Sequence, residues 1–372
     1  MAPLPLPANT PRSFYRGAGR LHAFRGIAAP DDPYYPEDWI GSTTSRFGQA
    51  PAGLTVLPGG ESLAAAVAAR PGWWLGEEHV AAHGADPTVL VKLLDAGQRL
   101  PLHVHPDRRF AGAHLASPYG KTEAWVVLEA GPDAFVHLGF ARDVSAAELA
   151  GWVAGQRIGE MLAATNRVPV RAGDAILCPA GLPHAIGEGV LLVEVQEPTD
   201  FSVLLEWEGF TSGPDAGHLG LGYDLALSCV DRREWTPERL RGLWGSGGAR
   251  PLPAAADPFF TVERLRPAAT SPPEPANAPV RPSPTEPPGA PGRPSPTEPA
   301  GAPEAVSVLE AVSVLEAGFS ILVVTAGAGS LEAEHGAPLT VRAGDTVLVP
   351  FGAGRCALRG PVEAVRCAPS RA

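Results

Sequence analysis

The stretch VRAGDAILCPAGLPHAIGEG, residues 170–189, is nearly rewritten as VRAGDTVLVPFGAGRCALRG at residues 341–360. Both copies read as a strand, a Gly-Asp turn, a second strand, a Pro-x-Gly turn and a third strand, because short Val/Leu/Ile runs bounded by Gly, Pro and Asp are strand signals. A block repeated at such a distance implies two related β-units in one chain. The copies part at their fifteenth position, where the first has His184 and the second Arg355. A histidine needed only to build the turn would be expected in both copies, so His184 is a candidate for another task.

Outward from the first copy, the runs TVLVKLLDA, LPLHVHP, EAWVVLEA, DAFVHLGF, GVLLVEVQ and FSVLLEW recur through residues 88–209. Their regular spacing argues for an antiparallel sandwich or barrel. One interruption is helical: SAAELAGWVAGQ places Ser145 and Glu148 at capping-box spacing, and with IGEMLAATN it predicts a helical insertion over 145–165. Helices are also expected over 61–70, ESLAAAVAAR, and over 236–244, TPERLRGLW, where Thr236 and Pro237 suit the N-cap and first helical position. Residues 267–303 hold 14 prolines in 37 positions, including RPSPTEPPGAPG followed by RPSPTEPAGAP. Such a segment buries too little apolar surface to offset its ordering entropy, so an extended, mobile insertion is expected. After it, EAVSVLEAVSVLE writes one hexapeptide twice, and either copy can pair as a strand.

Composition narrows the function. With 372 residues, 45% of them hydrophobic, the chain can bury sizeable cores and reads as globular. Its 40 acids against 29 bases give a net charge of −11, which repels polyanions and argues against a nucleic-acid partner. Cys178, Cys229, Cys356 and Cys367 are scattered without a CxxC pair, as in a reducing compartment. The proline-rich start MAPLPLPANTPRSFYRG is unlike a signal peptide, and no run of about 20 apolar residues suggests a membrane span. A cytoplasmic location is expected, with no membrane partner.

The stretch LPLHVHPDRRF, residues 100–110, carries the chemistry. Residues i and i+2 of a strand face one side, so His103 and His105 can present two imidazoles to one point. Glu123, in GKTEAWVVLEA, begins the next run, which is expected to pair with the His-x-His strand, and His184 follows the CPAG turn. Taken alone, Glu123 reads equally as a solvated strand-end acid and His184 as a turn histidine capping a carbonyl. Together the mixed nitrogen and oxygen set His103, His105, Glu123 and His184 suits Zn²⁺ best, with Mn²⁺, Fe²⁺ or Co²⁺ as alternatives. Lys121, Lys92 in VLVKLLDA and Glu194 in LLVEVQ are charged residues in or beside apolar runs. They are candidate proton carriers, and structural ion pairs are the competing reading.

The ordered series KLLDAGQRLPLHVHPD, YGKTEAWVVLEA, VPVRAGDAILCPAGLPHAIGEGVLLVEVQ and VRAGDTVLVPFG resembles the type I phosphomannose isomerases, zinc enzymes of the cupin superfamily. The resemblance implies a mainly β fold of two cupin-type, jelly-roll barrels with a helical insertion. It implies interconversion of mannose 6-phosphate and fructose 6-phosphate, with zinc ligands at His103, His105, Glu123 and His184. On that plan residues 1–87 complete the first barrel, and 88–210 form the metal-binding barrel with its insertion at 145–165. Residues 211–250 then make a helical connector, and 251–372 make a second, metal-free barrel broken by 267–303. The partner is a small-molecule sugar or sugar phosphate, and the chain acts as a monomer or homodimer. Aldose–ketose isomerisation moves a proton between adjacent carbons, so it needs a base and a group that stabilises a developing oxyanion; Lys121, Glu194 and Lys92 are the candidates.

This sequence also departs from the family's pattern. The family usually has Gln where His103 stands, Ser where Pro101 stands, and an arginine about ten residues after the position of Glu194, whereas VQEPTDFSVLLEWEGF contains none. Losing a hydroxyl and a fixed cation weakens recognition of a phosphate dianion. Arg232 and Arg233 in CVDRREW are the candidate substitutes. Two other readings therefore stand beside the isomerase: a cupin metalloenzyme of different chemistry, and a catalytically impaired sugar-binding paralogue.

Overall fold

In the computed structural model, which describes residues 3–245, 247–266 and 312–370, the two copies of the repeat turn in the same way. Gly173 and Gly344 take φ of 89° and 91°, and the side chains of Asp174 and Asp345 accept from the backbone N–H groups of Arg171 and Arg342, each at 2.9 Å. A left-handed residue beside an Asp that bonds its own turn makes a tight reversal between strands. The proline-rich segment 267–303 and the first hexapeptide copy at 304–309 lie outside the described residues.

The N-terminal copy lies within two five-stranded antiparallel sheets. The first has the order β2 (Glu37–Ile40), β3 (Leu90–Asp95), β10 (Val190–Gln196), β5 (Glu123–Ala130), β8 (Ala175–Cys178). The second has the order β11 (Val203–Leu204), β4 (His103–Val104), β9 (His184–Ile186), β6 (Phe135–Phe140), β7 (Thr165–Pro169). The C-terminal copy is built on the long strand β14 (Ser320–Ala333). The first half of β14 pairs with β16 (Thr346–Val349) and β18 (Val362–Pro369), and its second half with β15 (Leu339–Arg342) and β17 (Cys356–Arg359). β12 (Phe260–Leu265) joins β18, and β13 (Val312–Leu315), which falls in the second hexapeptide copy, joins β17. The segment before residue 88 is shared between the units. Glu37–Ile40 extends the first sheet, whereas β1 (Leu4–Pro5) pairs with β16 of the C-terminal unit.

Strand alternation sends each sheet's side chains to two faces, and the apolar contacts reveal the layers. Leu94, Trp125, Ile176 and Leu192 of the first sheet pack with Val136, Leu138 and Ile186 of the second. On the other face of the first sheet, Val91, Leu93, Val126 and Val193 pack against Leu63, Val67 and Trp74, and against Phe260, Ile321 and Val365 of the C-terminal unit. The outer face of the second sheet, with Phe140, Ala185 and Val203, is covered by Leu149, Trp152 and Met161 from the helices Ala146–Ala154 and Ile158–Ala163. Leu322, Leu331, Val347 and Leu358 fill the C-terminal unit. Each such side chain contributes about 1.5–3 kcal/mol when fully buried.

β10 is covered on both faces, so all seven of its residues are buried, Glu194 included. Glu194, Lys92 and Glu123 share the inner face with Leu192, Leu94 and Trp125, which is how the fold turns three charged side chains inward. The expected helices are present in shorter form. Ser62 caps Leu63–Ala69, Ser145 caps Ala146–Ala154, and Thr236 caps Pro237–Arg241. Among the described residues no helix is long and apolar enough to cross a membrane.

Candidate metal centre

His103 faces His184 directly in the β4–β9 ladder, and their ring centroids are 4.1 Å apart. His105, just beyond β4, lies 4.9 Å from His103 and 4.8 Å from His184 by the same measure. Glu123 arrives from the opposite direction. β5 does not pair with the His-x-His strand, as its sequence position suggested; it lies between β10 and β8 in the facing sheet, and Glu123 reaches across the interior. Its carboxylate oxygens stand 3.1 Å from His105 Nε2 and 3.3 Å from His184 Nε2.

Backbone carbonyls orient all three rings. His103 Nδ1 lies 2.9 Å from the Pro101 oxygen, His105 Nδ1 2.7 Å from that of Phe201, and His184 Nδ1 2.7 Å from that of Leu182. A carbonyl only accepts, so each Nδ1 carries a proton, and in a neutral ring Nε2 then turns a lone pair inward. Burial, reinforced by His184, holds His103 well below the usual histidine range, and burial with Lys121 brings His105 down to about 3. The imidazoles of His103 and His105 are therefore neutral, as metal ligands must be. Burial pushes the Glu123 carboxyl up, but Lys121 and the contact with His105 outweigh it and hold the group well below its usual range.

These groups fit a cation. His184 Nε2 stands 3.3 Å from a Glu123 carboxylate oxygen, and it is a buried polar atom with no hydrogen-bond partner among the described residues. Leaving a buried acceptor unmatched costs about 1–3 kcal/mol, which a shared positive charge offsets. Three nitrogens and one carboxylate suit a borderline divalent ion such as zinc. Cys178, the cross-strand neighbour of Glu123, also lies in reach of Glu123 and His184.

Beyond Glu123 the polar groups alternate in sign. Lys121 Nζ donates to Glu123 at 2.6 Å and to His105 Nε2 at 2.8 Å, and it stands 3.9 Å from Glu194. Lys92 lies 3.5 Å from Glu194, 3.9 Å from Asp200 and 4.0 Å from Glu37, with its ammonium over the Trp39 ring. Burial pulls the Lys121 ammonium down, yet Glu123 and Glu194 hold it above the usual lysine range. Glu194 is raised, first by burial and then by the charge of Glu123. Tyr15 and Trp39 each donate to Glu37 at 2.7 Å. This buried row lines a cleft, with Phe14, Phe47, Leu100 and Leu204 among its apolar walls.

The structure thus brings together all seven residues singled out from sequence. Arg232 and Arg233 do not join them. Arg232 donates to the Val144 carbonyl, and Arg233 is tied to Asp231 on the surface. Sequence reasoning missed Glu37, Arg46 and Asp200. Glu37 carried the same signal as Lys92, a charge in a short buried strand, whereas Arg46 and Asp200 sit in irregular segments without one.

No family model matches the chain. Among curated proteins it is 36% identical over 112 residues to mannose-6-phosphate isomerase ManA of Bacillus subtilis, covering 30% of this chain and 34% of that one. It is 37% identical over 112 residues to the mannose-6-phosphate isomerase of Streptococcus mutans, with the same coverage of 30% and 34%. The chain thus spans about a third of the length of the curated relatives it matches. In three dimensions it superposes on the crystal structure of mannose 6-phosphate isomerase from Bacillus subtilis with a TM-score of 0.67, at 17% identity and 99% coverage of both chains. A mannose 6-phosphate isomerase structure bound with zinc and yttrium gives 0.68, at 15% identity and 100% coverage of both. The chain resembles the type I phosphomannose isomerases, and the likeness in three dimensions establishes the mainly β fold.

Proposed function

We propose that this chain is a metal-dependent aldose–ketose isomerase that interconverts mannose 6-phosphate and fructose 6-phosphate or a closely related sugar. The observation that carries the reading is the convergence of His103, His105 and His184 on Glu123, beside a buried lysine–carboxylate row in one cleft. The same four residues are the proposed zinc ligands. A bound divalent ion would supply Lewis-acid polarisation of the sugar's carbonyl and hydroxyl oxygens.

The chain's own residues supply the proton transfers. Glu194, held between Lys121 and Lys92, takes the proton from the carbon beside the carbonyl and returns it to the neighbouring carbon. Lys121 donates a proton to the carbonyl oxygen as charge develops there and takes one back from the neighbouring hydroxyl, so that it ends as it began, and Lys92 keeps the Glu194 carboxylate in place. Trp125 Nε1 donates to Glu123 at 3.0 Å and fixes its orientation. The apolar walls limit water around the intermediate.

In this reading residues 88–210, with the strand from 1–87, form the reactive barrel; 211–250 connect it to the second, metal-free barrel of 251–372. The substrate is a small sugar phosphate, neither nucleic acid nor membrane is a partner, and the chain works as a monomer or homodimer. Four free cysteines support a reducing, cytoplasmic setting.

Metal analysis with a coupled assay tests the proposal. The expected result is about one divalent ion per chain, turnover of mannose 6-phosphate that is lost on chelation and restored by zinc, and depleted metal in His184→Ala. A fully loaded chain that turns over no hexose or hexose 6-phosphate would refute it.

A further inference from the structure

The polar row of the cleft ends on a cation unlike the others. From Glu123 the contacts run to Lys121 at 2.6 Å, Glu194 at 3.9 Å, Lys92 at 3.5 Å, Asp200 at 3.9 Å and Arg46 at 3.7 Å. Each lysine is bracketed by carboxylates, so its charge is already matched within the protein. Arg46 comes last: among the described residues only the Asp200 carboxylate lies within ion-pair distance of it, and its charge also acts on the more distant Glu37. Its Nε lies 3.7 Å from Asp200, an ion pair too long for a hydrogen bond, and its Nη1 donates to the Arg12 carbonyl. Its Nη2 has no hydrogen-bond partner among the described residues, although Arg46 is only 8% exposed.

The location of Arg46 suits an anion. It lines both the cleft and an adjoining groove formed by Arg12, Tyr34 and Phe210, so it stands where the two meet. Its backbone is fixed, with its N–H donating to the Ala52 carbonyl at 2.7 Å and its own carbonyl accepting from Gln49 at 3.0 Å. Deeper in the cleft, Lys92 and Lys121 are each already engaged by two or more of the carboxylates Glu37, Glu123, Glu194 and Asp200, so neither ammonium is open to a further anion. A guanidinium with an open edge, by contrast, matches the oxygens of a phosphate.

We propose that Arg46 binds the phosphate of a phosphorylated hexose and so sets the preference for the phosphorylated sugar. This rests on the isomerase reading above. It makes Arg46 a specificity-determining residue supplied by the loop after β2, in a chain whose segment after Glu194 has no arginine.

The test compares zinc-loaded wild type, Arg46→Gln and Arg46→Lys on mannose 6-phosphate and on mannose. Removing a charged hydrogen bond of about 2 kcal/mol corresponds to roughly 30-fold. The ratio of kcat/KM for the phosphorylated over the free sugar is expected to fall about 30-fold in Arg46→Gln, mainly through KM. Arg46→Lys, which keeps the charge but not the fork, should fall between the two. Calorimetric titration of the same zinc-loaded proteins with inorganic phosphate needs no turnover and should show weaker binding in Arg46→Gln. A specificity ratio and a phosphate affinity within about twofold of wild type in folded Arg46→Gln would overturn the assignment; if that variant does not fold, the same outcome in Arg46→Lys does so. If wild type turns over no sugar, the isomerase reading fails, and the titration still decides the role of Arg46.

Discussion

Glu194 lies on a strand buried on both faces, 3.5 Å from one lysine and 3.9 Å from another, and its carboxyl is raised, first by burial and then by Glu123. Lys92 and Lys121 pull the other way without cancelling the shift, and Glu37 adds to it. The sign of the pH effect follows. A raised carboxyl loses its basic form at a higher pH than usual, so the acid limb of kcat/KM should fall above the ordinary value of 4.5. Glu194→Gln should lower kcat about 10²–10⁴-fold while leaving metal content unchanged, which pH–rate profiles and metal analysis would check. An unshifted limb in the variant would remove Glu194 from the proton transfer. At this scale the candidate metal ligands were legible because His103 and His105 share a strand face and His184 breaks the repeat. Arg46 was not, since a cation in a Thr/Ser/Gly loop reads as solvated until the fold buries it.

At the scale of elements, the duplicated Gly-Asp turn offers a controlled comparison. Gly173 and Gly344 have nearly the same φ, 89° and 91°, but different surroundings. A methyl group added at Gly173 meets nothing within 4 Å, whereas one added at Gly344 would run into the Phe24 carbonyl. Gly173→Ala should therefore cost about 1–2 kcal/mol for backbone strain alone. Gly344→Ala should cost roughly 1–3 kcal/mol more for the overlap. Urea unfolding of the two variants measures the difference, and equal losses would mean that the Phe24 segment gives way. The repeat made these turns readable in the sequence. The pairing of β5 was not readable, because a run's sequence neighbours do not say which of two facing sheets it joins.

For the whole molecule, four apolar clusters stack the helical cover, the two N-terminal sheets and the C-terminal unit, and the polar row runs through the N-terminal interior. Glu37 links that row to stability. Burial raises its carboxyl, but Lys92 and Arg46 outweigh this and bring it from 4.5 to about 2. A depressed carboxyl stabilises the fold above its unfolded pKa, and that contribution is lost as pH falls from about 4.5 towards 2. The shift amounts to ~3 kcal/mol. Wild type should lose more stability than Glu37→Gln across that window in denaturant titrations; parallel losses would contradict the assignment. The mainly β class was legible from the spacing of the short runs. The sharing of the N-terminal segment was not, since Leu4–Pro5 joins the distant strand Thr346–Val349, a pairing that no local pattern announces.

The central claim is that this cleft moves a proton between adjacent sugar carbons. Nuclear magnetic resonance of mannose 6-phosphate with the zinc-loaded chain in D₂O tests it most directly. The account predicts fructose 6-phosphate carrying deuterium at C1 and, on reversal, mannose 6-phosphate carrying it at C2; neither product nor exchange from a fully metal-loaded chain would contradict it.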